Sequence, residues 1–234
     1  MNIEFSIVIP TWNRKERLID LVKKIIKINT NFDKYEIIIC DSNSTDGTEN
    51  LINSFIKQNF DINIKIHNTK FNNVSQKRNF GIKKSKFNFI ILIDDDCLPD
   101  DSFFYKYEEL CKKYYGKKLI FSGMYLTDKD KIQKSNYYRY RDTRNYKIIK
   151  NNYLDYEFID FWNIVTGNLC FEKKILLENN ILFNEEITGY GFEDVDWGYR
   201  IAKQNIKIVK VDVGVLHNET SSNIKNYKLK WYYQ

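Results

Sequence analysis

The amino-acid sequence predicts an α/β protein in which a mostly parallel central sheet is flanked by helices. The first half alternates short apolar runs, typical of buried strands, with segments whose apolar residues recur at helical spacing. Such alternation with short connections is the pattern of a parallel sheet covered on both faces. Only 9 glycines and 2 prolines occur among the 234 residues, so most of the backbone should lie in regular elements.

Eight elements are predicted in the first half of the chain. Four apolar runs predict strands, at Phe5–Pro10 and at residues 35–40, 62–67 and 87–93. Segments with helical periodicity predict four helices, at Lys15–Ile28, Val74–Lys84 and residues 48–60 and 101–115. The fourth strand (FNFIILI) is the most apolar stretch of the chain.

The second half is less regular. Strands are predicted at residues 119–124, 162–171 and 206–216, and helices at residues 173–179 and 192–204. The helix at 192–204 has Asp and Glu in its first turn, as the helix macrodipole favours. Residues 127–156 are charged and tyrosine-rich without a clear period, which predicts a long loop containing some helix.

The charge of the chain narrows the classes of function. The 37 Lys and Arg against 31 Asp and Glu give a formal net charge of +6, which is spread along the chain. This excess fits an anionic substrate, an anionic membrane surface or an ordinary solvated surface, and it is too small to indicate nucleic-acid binding. No apolar run approaches the ~18 residues of a membrane span, and no basic leader precedes the first strand.

The cysteine pattern indicates neither a zinc site nor a disulfide framework. Cys40, Cys97, Cys111 and Cys170 are far apart in the sequence and form no CxxC pair. We therefore expect buried or half-buried free thiols, a reducing compartment and a cytoplasmic protein.

Polar clusters follow three of the predicted strands and should meet at one edge of the sheet, where ligands of such folds bind. Asp94, Asp95 and Asp96 come directly after the most apolar strand. Three adjacent carboxylates are costly there without a counter-charge, and Mg²⁺ and Mn²⁺ prefer carboxylate oxygens. The cluster predicts a metal site, with an acidic turn that caps the next helix as the alternative.

Four further residues each have a functional and a structural interpretation. Asp194 and Glu193 open a predicted helix, where a carboxylate can act as a general base or can simply cap the helix. His217 ends an apolar strand and would complete a metal site or form an ordinary hydrogen bond. Asp41 precedes a Ser/Asn/Thr/Gly turn and would bind a nucleobase or ribose, or cap that turn.

The order of these motifs resembles that of the family 2 glycosyltransferases. The motifs in the first half are Pro10-Thr11-Trp12-Asn13-Arg14, Asp41-Ser42-Asn43-Ser44-Thr45-Asp46-Gly47-Thr48, Gln76-Lys77-Arg78-Asn79-Phe80-Gly81 and Leu92-Ile93-Asp94-Asp95-Asp96. The motifs in the second half are similar to those of chondroitin-polymerase-like and galactosyltransferase-like members: Thr166-Gly167-Asn168-Leu169, GYGFEDVDWGYR at residues 189–200 and Val215-Leu216-His217. The resemblance implies the GT-A fold, a Rossmann-like sheet with a smaller acceptor-side subregion.

The resemblance also implies site residues. Asp194 would be the catalytic base, and Glu193 would contact hydroxyls of the donor or acceptor. Asp96 and His217 would bind Mn²⁺ or Mg²⁺, and Asp94 would contact this metal or the ribose. The residues implied to bind the nucleotide sugar are Pro10, Thr11, Asn13, Arg14, Asp41, Arg78, Asp94, Asp95, Gly167 and Asn168.

The predicted function is that of an inverting glycosyltransferase. It would move galactose, N-acetylgalactosamine, N-acetylglucosamine or glucuronic acid from a UDP-sugar to a glycan or lipid-linked acceptor, in bacterial surface polysaccharide synthesis. One alternative is a nucleotidyltransferase, although the glycine-rich phosphate loop that it normally needs is missing after the first strand. The other alternative is a non-catalytic nucleotide-sugar-binding protein, which would have no need of Asp194 as a base.

A single catalytic domain is predicted over residues 1–220, with a nucleotide-binding half at 1–124 and an acceptor half at 125–220. Residues 221–234 form a basic tail rich in tyrosine and tryptophan. This tail is a candidate for peripheral contact with the inner face of the plasma membrane, with ordinary packing of a terminal helix as the alternative.

Overall fold

A computed structural model of the protein describes residues 2–28, 34–59, 61–145, 152–188 and 191–218. The strands in this part of the chain are β1 (Phe5–Pro10), β2 (Tyr35–Asp41), β3 (Ile64–Asn68), β4 (Phe89–Ile93), β5 (Cys97–Pro99), β6 (Leu119–Leu126), β7 (Tyr156–Phe158), β8 (Asn168–Glu172) and β9 (Lys207–His217). The helices are α1 (Lys15–Ile28), α2 (Thr48–Gln58), α3 (Val74–Lys84), α4 (Phe103–Lys113), α5 (Lys129–Lys134), α6 (Asn136–Arg144), α7 (Lys173–Glu178) and α8 (Glu193–Lys203).

The strands form one nine-stranded sheet in the order β3-β2-β1-β4-β8-β6-β9-β5, and β7 also pairs with β9. β1 is parallel to β2 and β4, β2 is parallel to β3, and β6 is parallel to β9. β8 lies antiparallel between β4 and β6, while β5 and β7 are antiparallel to β9. Most strands therefore share one direction, and the predicted mostly parallel α/β sheet is confirmed.

Helices cover both faces of the sheet and create two cores. On one face α1 and α4 contribute residues such as Leu21 and Phe103. On the other face α3 and α8 contribute residues such as Ile82 and Trp197. Because both faces are covered, every residue of β1, β2, β4 and β8 is buried. This burial explains why the sequences of these strands are nearly continuous apolar runs and do not alternate between apolar and polar residues.

The predicted elements of the first half are all present, with ends that differ by a few residues. The structure adds β5, a strand of three residues that is too short to show a hydrophobic period. Residue 60, the predicted end of the second helix, lies outside the described residues.

The predicted strand at residues 162–171 is wrong in its first part. A short 3-10 helix (Phe161–Asn163) comes first, and β8 begins only at Asn168. Ile164 is buried in the core beside α8 instead of extending the strand. Gly167 lies so close to the Tyr125 hydroxyl and the Asp94 carboxylate that any side chain there would collide with them.

The predicted loop at residues 127–156 contains α5, α6 and the first residue of β7. Asp128 starts α5, since its carboxylate accepts hydrogen bonds from the backbone N–H groups of Asp130 and Lys131 at 2.8 and 3.4 Å. Residues 146–151 of this segment and the whole predicted tail at 221–234 lie outside the described residues.

The four cysteines are free and buried, as predicted. Cys111 Sγ and Cys170 Sγ approach to 3.6 Å without a covalent bond. Among the described residues, none of the helices has the length and apolar character needed to cross a membrane.

Candidate active site

The carboxyl ends of β1, β2 and β4 lie side by side, because β1 pairs in parallel with both of the other strands. Backbone and side-chain groups of the segments after these strands contact one another directly. Thr11 Oγ1 donates a hydrogen bond to Asp95 Oδ2 at 2.7 Å, and Asn13 N donates to Ser44 Oγ at 2.7 Å. The predicted meeting of three polar clusters at one edge of the sheet is therefore present.

Each of the three consecutive aspartates lies next to a basic side chain, and Arg14 contacts both Asp95 and Asp96. Asp95 is almost fully buried and receives Arg14 Nη1 at 2.7 Å in addition to Thr11. Burial raises the pKa of Asp95 above its usual value, although the Arg14 guanidinium opposes this effect. Asp94 faces Arg78, and Asp96 faces His217.

His217 reaches Asp96 because β5 pairs with β9. The antiparallel register places Cys97 opposite His217, and His217 Nε2 lies 3.5 Å from Asp96 Oδ1. The Tyr125 ring stacks on the imidazole, with a centroid distance of 4.7 Å. Burial opposes ionisation of Asp96, but His217 and the nearby arginines outweigh it, so the pKa of Asp96 is lowered. Asp96 is thus an ionised carboxylate next to an imidazole.

The Asp96–His217 pair fits a divalent cation. Candidate ligand atoms of Asp96, Cys97 and His217 lie within 4.8 Å of one another. Carboxylate oxygen and imidazole nitrogen are both suitable ligands for Mn²⁺. Burial next to Asp96 and Asp94 raises the pKa of the Cys97 thiol well above its usual value. Mn²⁺ and Mg²⁺ are hard cations that prefer oxygen ligands, whereas thiolates select softer metals, so Asp96 and His217 are the two residues that would hold the ion.

Arg78 connects the acidic end of β4 with the start of α8. Its Nη2 donates to Asp94 Oδ1 at 2.9 Å, and its Nη1 lies 3.3 Å from Glu193 Oε1. The guanidinium is buried and packs over the Phe183 ring at 5.4 Å. Burial lowers the pKa of Arg78, but the two carboxylates more than offset this and raise it. Arg78 is therefore a fixed positive charge between the candidate metal side and the candidate base side.

Asp194 lies in the first turn of α8, directly after Glu193. Burial and the neighbouring Glu193 carboxylate raise the pKa of Asp194, and Arg78 opposes this only in part. One carboxylate oxygen accepts a hydrogen bond from the Val195 N–H at 2.9 Å. A carboxylate with increased proton affinity at the start of a helix is suited to accept a proton from a hydroxyl. Gly189 and Tyr190, which begin the predicted motif, lie outside the described residues.

The candidate nucleoside side is organised by the turn after β2. Asp41 is fully buried, and its two oxygens accept hydrogen bonds from Ser44 N at 2.8 Å and Ser44 Oγ at 2.5 Å. Asn13 Oδ1 accepts a hydrogen bond from Thr45 N at 2.7 Å. Pro10, the last residue of β1, is buried opposite Cys40. These contacts fix the turn against the end of β1.

Asn168 lies in the core and not in the sugar site that the family resemblance implies for it. It is fully buried, and its Nδ2 donates to the carbonyl oxygens of Val213 and Met124 at 2.9 and 3.3 Å. Its Oδ1 accepts a hydrogen bond from the Tyr107 hydroxyl at 2.7 Å. Both of its donor hydrogens are used inside the core, so the side chain connects β6, β9 and α4 instead of lining a sugar site. Gly167 alone of this pair lies beside Asp94.

Sequence reasoning did not assign Lys77, Arg17 and Tyr125 to the site. Lys77 is buried, and its Nζ donates to the Thr11 carbonyl at 3.0 Å. Burial lowers the pKa of Lys77 to about 8, despite nearby Asp95 and Asp41. Arg17 Nη1 lies 3.5 Å from Asp96, and Tyr125 covers His217. Lys77 adjoins Arg78 and Arg17 follows Arg14 by one helical turn, whereas no sequence signal indicates Tyr125.

The architecture places the chain in a known class of fold. The mannosyltransferase PcManGT from Pyrobaculum calidifontis, in complex with GDP-Man and Mn²⁺, matches with a TM-score of 0.71 at 15% identity, over 99% of this chain and 61% of that chain. Staphylococcus aureus TarS in complex with UDP-GlcNAc matches with a TM-score of 0.69 at 15% identity, over 94% of this chain and 60% of that chain. The fold is the GT-A fold.

Sequence comparison gives the family. The family model "Glycosyl transferase family 2" matches residues 6–176, and the chain belongs to this family. The chain is also 25% identical over 247 residues to the chondroitin synthase of Escherichia coli, covering 94% of this chain. It spans 35% of the length of that relative. The predicted family and the predicted similarity to chondroitin polymerases are confirmed.

Proposed function

We propose that the protein is an inverting glycosyltransferase that moves a hexosyl unit from a UDP-sugar to an acceptor hydroxyl with the help of a divalent cation. The observation that carries this proposal is the position of Arg78 between Asp94 and Glu193. This guanidinium connects the acidic end of β4, where a diphosphate and its metal would lie, with the helix that presents Asp194.

Buried polar atoms without partners support a ligand at this position. Glu193 Oε2 and Arg78 Nε are buried and have no hydrogen-bond partner within the described residues. Buried polar groups are normally satisfied, so an unpaired one next to a cluster of functional side chains is a suitable partner for a ligand group or a water molecule. The hydroxyl of a sugar would satisfy Glu193 Oε2.

On the donor side, the chain provides an arginine and a rigid turn that could contact the nucleoside. The turn fixed by Asp41 and Asn13 would contact the nucleoside, and Arg14 would face the acidic groups of the site. A Mn²⁺ or Mg²⁺ ion bound by Asp96 and His217 would supply Lewis-acid stabilisation of the departing diphosphate. Asp94, oriented by Arg78, would contact that ion or the ribose.

On the acceptor side, Asp194 would act as the general base. Its pKa is raised toward neutral pH, so its carboxylate is a stronger base, and this favours transfer of the acceptor proton to it. The acceptor oxygen would form a bond to the anomeric carbon as the bond to the diphosphate breaks on the opposite face. A single displacement of this kind inverts the anomeric configuration, and the nucleoside diphosphate leaves.

The relatives support the choice of substrates within this proposal. One relative is named chondroitin synthase, and one structural neighbour was solved with UDP-GlcNAc. We propose a UDP donor carrying galactose, N-acetylgalactosamine, N-acetylglucosamine or glucuronic acid, and a glycan or lipid-linked acceptor in bacterial surface polysaccharide synthesis. The proposed setting is cytoplasmic, with residues 221–234 contacting the inner face of the plasma membrane.

A donor panel tests the proposal directly. The four UDP-sugars are added with and without Mn²⁺, and the rise in melting temperature is measured. We expect at least one donor to stabilise the protein only when the metal is present. Nuclear magnetic resonance should then show an inverted anomeric configuration in the product. No stabilisation by any of the four donors, or a retained configuration, contradicts the proposal.

Two substitutions separate the two sides of the site. Asp194→Asn should keep metal-dependent donor binding while transfer falls by about 10²–10⁴-fold. Asp96→Ala should lose metal-dependent donor binding in calorimetry. Asp101→Asn, at a carboxylate whose side chain is 85% exposed, is the control. Pyrophosphate release from a sugar phosphate and UTP would instead show a nucleotidyltransferase, and donor binding without UDP release would show a sensor.

A further inference from the structure

Helix α8 carries aromatic side chains on its solvent face that the proposed reaction does not use. Phe192, which directly precedes the helix, and Tyr199 are 60% and 43% exposed. They are seven residues apart in sequence, which corresponds to about 10 Å along a helix axis. The opposite face of α8 is buried through Trp197 and Ile201. The exposed aromatic face therefore starts next to Asp194 and leads away from it.

The 3-10 helix that precedes β8 continues this aromatic surface. The Phe161 ring lies 5.5 Å from the Tyr199 ring and 3.9 Å from the Trp162 ring, centroid to centroid. Trp162 is 63% exposed. A side chain at Gly198 would come within 2.8 Å of the Phe161 carbonyl oxygen, so the absence of one allows the 3-10 helix to pack closely on α8.

The surface ends at a cavity of about 320 Å³ lined by Phe158, Phe161, Ala202 and Lys207, among others. Phe158 is 64% exposed at its rim. We call the five rings Phe158, Phe161, Trp162, Phe192 and Tyr199 the aromatic track. Four of these rings are exposed, and Phe161 is partly buried against the core. Exposed aromatic rings that adjoin a cavity are typical of a binding surface rather than of an ordinary solvent-facing helix.

The backbone at Phe192 is strained in a way that points to function. Its φ of 67° and ψ of −19° lie in the left-handed region, which an aromatic residue seldom occupies. Such strain costs conformational energy and is typically found at functional sites. At this position it presents an exposed ring directly before the residues Glu193 and Asp194.

We propose that the aromatic track binds the sugar units of an extended glycan acceptor, behind the unit whose hydroxyl is presented to Asp194. This inference rests on the proposed glycosyltransferase function. Pyranose rings have apolar C–H faces that stack on aromatic rings and hydroxyl edges that bond to polar groups. The track offers both, since Asp160 and Lys207 line the cavity together with Phe158 and Phe161, and Lys203 lies over the Tyr199 ring.

A glycan fits this surface better than a membrane does. The charged residues along the track carry both signs, whereas an anionic lipid surface is matched by basic residues alone. The track also begins at the N-terminal end of α8, at the candidate base, so it is continuous with the position where an acceptor hydroxyl must react. Its 10 Å length along α8 alone spans more than one pyranose ring.

The test compares a Trp162→Ala/Tyr199→Ala double variant with Tyr105→Ala, which removes a ring that is 60% exposed on α4. The probes are chitohexaose, maltohexaose and a chondroitin hexasaccharide. Each is compared with the methyl glycoside of the sugar at its non-reducing end, and affinities are measured by calorimetry. We expect the wild-type protein to bind one hexasaccharide more tightly than its methyl glycoside. The double variant should lose about tenfold of that affinity, whereas Tyr105→Ala should not.

Several results would overturn the aromatic track as a glycan site. One is that the double variant binds the hexasaccharide as tightly as the wild type does. Another is that the wild-type protein binds no hexasaccharide more tightly than the corresponding methyl glycoside. Loss of co-sedimentation with phosphatidylglycerol vesicles in the double variant, with saccharide affinity intact, would assign the surface to a membrane. Trp162→Phe, which keeps an aromatic ring, should retain affinity if stacking is the cause. Metal-dependent stabilisation by UDP-sugars reports separately on the proposed function.

Discussion

The parallel half of the sheet and its mixed half place their functional side chains in different ways. In the parallel half, β1 to β4, each polar cluster follows its own strand, and neighbouring strands end at the same edge. In the mixed half, the groups meet through contacts between distant segments. His217 depends on the pairing of β5 with β9, and Glu193 meets Arg78 across 115 residues of sequence.

Buried polar groups in both halves include paired and unpaired atoms. Thr11, Arg14 and Asp95 satisfy one another at the end of the parallel strands. In the mixed half, Glu193 Oε2 and Lys210 Nζ are buried without a hydrogen-bond partner among the described residues. Ser75 Oγ and Arg78 Nε of α3, in the parallel half, are likewise buried without such a partner, so both halves contain groups whose cost a ligand or a substitution can relieve.

Arg78→Met should have the largest effect, because Arg78 is the residue that links the two halves. Its loss leaves the buried Glu193 and the partly buried Asp94 without a counter-charge. We expect a loss of about 3–5 kcal/mol in the free energy of unfolding, measured by urea denaturation. The control Lys112→Met removes a surface ion pair with Glu108, which water screens, and should reduce the free energy of unfolding far less. An equally small loss in Arg78→Met would show that the two halves are not coupled through this residue.

Asn168→Ala tests whether this residue belongs to the framework or to the sugar site. The substitution leaves the Tyr107 hydroxyl and the carbonyl oxygens of Met124 and Val213 with fewer partners in the core. We expect the free energy of unfolding to fall by about 3 kcal/mol. Donor affinity of the folded protein, measured by calorimetry, should stay at the wild-type value. Weaker donor binding with intact stability would return Asn168 to the sugar site.

Lys210→Met should stabilise the mixed half. Burial lowers the pKa of Lys210 to about 8, so the charged form is penalised in the folded protein. Relative to an ordinary lysine pKa of about 10.4, this corresponds to at most about 3 kcal/mol, which the substitution should recover in part at pH 7. The exposed Lys207 on the same strand provides the control Lys207→Met.

The dependence of the free energy of unfolding on pH gives a second measurement of the penalty for burying Lys210. Between the folded pKa near 8 and the unfolded pKa near 10.4, the unfolded chain binds more protons, so wild-type stability should rise with pH in that window. The rise should shrink in Lys210→Met when urea unfolding is measured from pH 7 to 10. An unchanged profile would mean that the Lys210 amine is solvated in the folded protein.

Asn13→Gly should have the smallest effect, in the parallel half. Asn13 has a φ of 51°, which glycine tolerates, so the substitution mainly removes the hydrogen bond from Thr45 N. We expect a loss of about 0.5–1 kcal/mol in the free energy of unfolding. A loss comparable to that of Arg78→Met would show that the turn after β2 is as critical as the link between the halves.

The sequence predicts the parallel half well for a physical reason. Strands buried on both faces are continuous apolar runs, and residues that follow them, such as Asp41 and Asp95, must lie at the shared edge. His217 was likewise indicated by its position at the end of a strand. For Asp41 and Asp95 a local pattern determines where the side chain is placed, whereas the position of His217 at Asp96 also requires the pairing of β5 with β9.

The rest depends on contacts that have no local pattern. The short strand β5 is invisible to periodicity, yet it places His217 at Asp96. The family resemblance implied a ligand contact for Asn168, but its amide lies in the core, where the Tyr107 hydroxyl and the carbonyl oxygens of Met124 and Val213 bind it. Tyr125 lies in an apolar strand and gives no sign that its ring covers the imidazole.

The two short strands beside β9 have a consequence for solubility. β9 is 11 residues long and apolar, and an open flank of that length would invite pairing with another molecule. β5 covers Val215 to His217 and β7 covers Val209 to Val211, so the flank is closed at both ends by three-residue strands. Deleting either short strand should therefore promote intermolecular aggregation, in addition to any loss of activity.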